Sequence, residues 1–100
     1  SRITSARRAA PEGVETALIA QLQGRDVFLR LYSLPGLVAL DSTEAWAEIS
    51  AAADGEGGGT QVWPADFDAF RKVVPMSRGL QDFAVKRMVK TFAKAALAAR

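Results

Sequence analysis

The chain contains no cysteine, no histidine and no asparagine. Without cysteine there is no disulfide framework, no thiolate zinc site and no cysteine nucleophile. The lack of histidine removes the usual general base at neutral pH, the Ser-His-Asp triad in its common form and the commonest metal ligand. Long apolar runs are missing too: nowhere do 18 apolar residues follow one another, which excludes a transmembrane helix. Large core side chains are scarce, because 49% of the 100 residues are hydrophobic but 19 of the residues are alanine. Such a chain has the composition of one small folded domain, marginally stable alone or helped by a partner.

What is present for chemistry is carboxylates and hydroxyls. Asp66 and Asp68 are two residues apart and point to different faces of a helix, which suits neither a shared metal nor acid–base cooperation. Glu44 and Glu48 are one turn apart, an ordinary spacing on an exposed face. No catalytic residue, metal ligand or cofactor is assigned, and the chain reads as a non-enzyme.

The net charge of +2 conceals a segregation along the chain. Residues 1–10 carry Arg2, Arg7 and Arg8 and no acid, whereas residues 11–70 carry ten acids against Arg25 and Arg30, a net −8. Residues 71–100 carry eight bases against Asp82, a net +7. This asymmetry favours either an internal match between middle and tail or an acidic partner for the basic end. The acid-free, serine-bearing opening has the composition of an organelle transit segment, a mitochondrial one for instance, or of a basic arm; a solvated terminus has it as well.

Helical spacing and start signals predict a mainly α fold with four helices near 11–23, 41–53, 64–74 and 78–99, in a single domain over 11–100. Pro11 suits a first turn and Gly24 a closing residue. Asp41 stands as a cap with Glu44 in the capping-box position. Pro64 opens the next helix, and Phe67, Phe70, Val73 and Val74 follow at three- and four-residue steps as a core seam. Segment 27–40 is ambiguous. Val27, Leu29 and Leu31 alternate as a strand would, Phe28, Leu31 and Leu34 line a helix face, and Pro35-Gly36 fits a type II turn. It is expected as a helix of two to three turns ended by Pro35, with a short β-hairpin as the alternative. Residues 54–60, with Gly57-Gly58-Gly59, read as a flexible loop between helical pairs. Its two acids and the lack of a following lysine argue against a phosphate-cradling loop.

Projected at about 100° per residue, the last helix places Leu80, Ala84, Val85, Met88, Val89, Phe92 and Ala95 on one half, expected to face the core. Lys86, Lys90 and Lys94, at i, i+4 and i+8, form a basic ridge on the other half beside Arg87. Solvation alone accommodates such a ridge. A functional use falls to Lys86, Arg87, Lys90 and Lys94, with Arg7 and Arg8, as partner-binding residues. The expected function is a non-catalytic accessory or assembly subunit of a larger protein complex that offers an acidic contact surface. The alternative is a small protein binding RNA or DNA phosphates non-specifically, since no base-reading signature is found. Peripheral membrane contact is not expected, because the apolar half of the last helix is expected on the core.

Overall fold

The structure, a computed structural model, describes residues 13–60 and 62–100. The basic arm 1–10, with Arg7 and Arg8, and the first two residues of the expected helix 11–23 lie outside them. The fold is mainly α: α1 Val14–Gln23, α2 Val27–Leu40, α3 Thr43–Ala53, a 3-10 turn Ala65–Phe67 leading into α4 Asp68–Val73, and α5 Arg78–Ala99. Among the described residues there is no strand; one isolated parallel bridge joins Asp26 and Val62.

Segment 27–40 is one continuous helix, not a hairpin and not a helix stopped at Pro35. Asp26 starts it, its carboxylate accepting from the N–H groups of Phe28 and Leu29 at 3.0 and 3.2 Å. Val27, Leu34, Leu37 and Leu40 are buried on one stripe. Their burial gives roughly 6–12 kcal/mol, against about 3 kcal/mol for a proline inside a helix. Packing therefore overrides the local signal. Pro35 itself lies on the exposed side, and α1 crosses beside Gly36, where an added Cβ would meet Leu18 Cδ1 at 2.9 Å.

The connection from α2 to α3 divides the capping roles differently from the sequence expectation. Asp41 adopts φ 52° and closes α2, donating its N–H to Leu37 O at 3.2 Å, while its carboxylate accepts from Trp46 Nε1 at 2.5 Å. Ser42 caps α3 instead, accepting from Ala45 N at 3.0 Å, and its hydroxyl donates to the Glu15 carboxylate of α1. The core formed by α1, α2, α3 and α5 contains Leu22, Val27, Leu34, Leu37, Ile49, Trp46 and Val89, with alanines 45, 52, 53 and 93 filling the close approaches.

Two expectations about the core are overturned. The expected helix 64–74 is a 3-10 turn plus six residues, and its seam is not core: Phe67 is half-buried against Phe28, while Phe70 and Val73 are exposed. Among the described residues no second helix lies over that side to cover them. The second correction concerns α5, which keeps its expected bounds but turns a different face inward. Val89 and Ala93 are buried, with Val85, Ala96 and Leu97 packed beside them. Leu80, Met88 and Phe92 point to solvent. Narrow alanine positions on α3 favour small α5 residues at the contact, so Ala93 replaces the larger side chains there. No helix among the described residues is long and apolar enough to cross a membrane.

Candidate functional site

The last turn of α1, the first turn of α2 and the loop after α3 meet at Arg30. The residue is only 2% exposed, although no carboxylate among the described residues pairs with it. Nε donates to Leu22 O at 2.6 Å and Nη2 to Glu56 O at 2.8 Å, so backbone carbonyls replace its hydration. Nη1 forms no hydrogen bond with the described residues. Burial draws Arg30 below the ordinary arginine value, yet a guanidinium remains protonated at neutral pH.

The glycine run exists to approach this guanidinium. Gly57 and Gly58 have φ of 84° and 81°, and a Cβ on Gly58 would collide with Arg30 Nη1. Further bonds fix the segment: Gly58 N to Gln23 O at 3.4 Å, Arg25 Nε to Thr60 O at 3.0 Å and Val62 N to Arg25 O at 3.1 Å. The reading of this run as a flexible spacer is thus corrected. It is a fitted strap over a buried cation.

On the other side of that strap, Arg30, Ala52 and Gly55 face α5 across a cavity of about 460 Å³. The α5 side supplies Phe83, Lys86, Arg87, Val89, Lys90, Thr91 and Lys94. All four α5 cations singled out in the sequence are therefore brought to one place. Arg30, a fifth, escaped sequence reasoning, because nothing in the spacing ties an arginine on an apolar helix face to glycines 27 residues later. Among the described residues no carboxylate lines the cavity, and the only ion pair joins Arg71 to Asp82 at 2.8 Å. The described acids of the middle of the chain thus do not neutralise this end by ion pairing. Among the same residues, no three His, Cys, Asp or Glu gather in a set able to hold a metal ion.

The other border of the α5 ridge is apolar. Leu80, Ala84, Met88 and Ala95 lie along one side of the helix, all exposed, with Phe92 at the edge. Compared with known protein families, curated proteins and solved structures, the chain matches none.

Proposed function

We propose that the chain is a non-catalytic accessory or assembly subunit of a larger protein complex, docked through the outward face of α5. The observation that carries this reading is an apolar strip that no other described residue covers: Leu80, Met88 and Phe92 are 58%, 42% and 52% exposed on one helix. Lone exposed apolar residues are common, but a contiguous strip beside a charged rim has the layout of an interface. The partner that fits carries apolar side chains for the strip and carboxylates for Arg87 and Lys94 at its edge. Such a surface supplies the charge complementarity that the chain's own acids leave unused.

The test is sedimentation of the chain in native extracts of its source, as wild type and as the double variant Leu80→Asp, Met88→Asp. The wild type is expected to travel with a large assembly, and the double variant as a free chain of 10.7 kDa with its helical circular dichroism intact. A wild-type chain sedimenting alone overturns the proposal. So does retention abolished by nuclease, which would transfer the ridge to the nucleic-acid reading.

A further inference from the structure

The cavity beneath the lysine ridge touches the rim of the docking strip at Arg87 and Lys94 but includes none of Leu80, Met88 and Phe92, and it has a chemistry of its own. Arg30, Lys86, Arg87, Lys90 and Lys94 surround one space of about 460 Å³, within the size range of small-ligand pockets. Arg30 is fixed by its two carbonyl bonds and by packing, so its position is set before any ligand arrives. A cation held inside a protein without an anion costs desolvation, and an anion at this wall would recover part of that cost. Lys90 extends over Gly55, where an added Cβ would lie 4.0 Å from its Nζ, so this side chain reaches across the gap from α5 toward the end of α3.

The lining also contains Phe83, exposed and bordering the cations, and the hydroxyl of Thr91. An extended strand of nucleic acid would engage bases spread along a surface, whereas here they converge on a concavity. We propose that this cavity binds a small oligophosphate, with its phosphate chain among Lys86, Lys90 and Lys94, the buried charge of Arg30 behind them, and any attached ring against Phe83. Multiple ammonium and guanidinium donors match multiple phosphate oxygens through charge-assisted hydrogen bonds. A single carboxylate would leave most of these cations unpaired, which is why a polyvalent anion is the fitting class.

Isothermal titration calorimetry of the full chain, at physiological salt and without divalent cations, tests the proposal with tripolyphosphate, adenosine triphosphate and orthophosphate as probes. Tripolyphosphate is expected to bind one to one in the micromolar range, and orthophosphate much more weakly. Tighter binding of adenosine triphosphate than of tripolyphosphate would assign the Phe83 side to a ring; equal binding would assign the site to the phosphate chain alone, and both uphold the site. Lys90→Ala is expected to weaken binding by roughly tenfold, as for loss of a hydrogen bond to a charged group in a solvent-open site. Lys72→Ala, outside the cavity, should leave it unchanged, and so should Met88→Asp on the docking strip. That last variant separates failure of the site from failure of the assembly reading. Since Arg30→Ala endangers the fold, Lys86→Ala with Lys94→Ala serves as the second lining variant. Absence of heat with both oligophosphates overturns the proposal, as does equal weakening by Lys72→Ala and Lys90→Ala. An RNA 12-mer that binds more tightly than either oligophosphate, with a log–log salt slope near −3, also overturns it.

Discussion

Arg30 and Arg71 each hold a region of the molecule together, and they do so under opposite electrostatic conditions. Arg30 lies inside the bundle, satisfied by the carbonyls of Leu22 and Glu56 and covered by glycines. Arg71 lies in the 62–82 segment, where Asp82 accepts from its Nη2 at 2.8 Å and Trp63 lies under its guanidinium at 4.1 Å. Gln81 completes that second cluster, accepting from Arg71 Nε and donating to the carbonyls of Arg71 and Met76, each at 3.0 Å. A carboxylate cancels the charge of Arg71, so its neighbourhood has no call for an outside anion. Carbonyl dipoles hold Arg30 without cancelling it, and the cavity it lines stays electropositive. The placement of acids, more than the count of bases, thus decides which end of α5 keeps its positive charge uncancelled.

Three substitutions sharpen this contrast, in descending order of effect. Gly58→Ala forces a side chain onto Arg30 at a positive φ, and a loss of about 1–3 kcal/mol is expected in urea unfolding. A neutral outcome would show that the strap over Arg30 is loose. Asp82→Ala removes the acceptor shared by Arg71 and by Trp63 Nε1, whose bond is 2.5 Å long. Because the carboxylate is 39% exposed, water replaces part of what is lost, and about 1 kcal/mol is expected, with a change in Trp63 fluorescence. A loss larger than that of Gly58→Ala would reverse the ranking of the two clusters. Phe70→Ala closes the series. Its ring is 57% exposed, so it should cost under about 0.5 kcal/mol, whereas membership of a core seam would cost about 3–5 kcal/mol.

The contrast also explains what the sequence could and could not disclose. Helices with clear starts and stops were legible: α5 begins after Ser77, whose hydroxyl accepts from Leu80 N, and ends at the residue that its periodicity indicated. The ridge of Lys86, Lys90 and Lys94 was legible for the same reason, since it depends only on helical spacing. Which face of α5 turns inward was not, because that depends on the alanine-lined gap offered by α3. The run through Pro35 was hidden because the proline signal is local while the buried stripe that overrides it is assembled from distant helices. Arg30 was hidden for a related reason. Its partners at Leu22 and Glu56 lie 8 and 26 residues away, and neither contributes a side chain that spacing could reveal.

One rod passes through both regions. α5 spans 22 residues, about 33 Å at 1.5 Å per residue, with Gln81 and Asp82 in the Arg71 cluster and Val89 and Ala93 in the bundle core. Its amide protons therefore belong to two protection classes on a single helix. Those near Val89 and Ala93 exchange with deuterium only when the bundle opens, while those near Gln81 exchange whenever the Arg71 and Trp63 contacts let go. The helix thus carries two levels of local opening along its length, slow around buried Val89 and Ala93 and faster at the polar cluster.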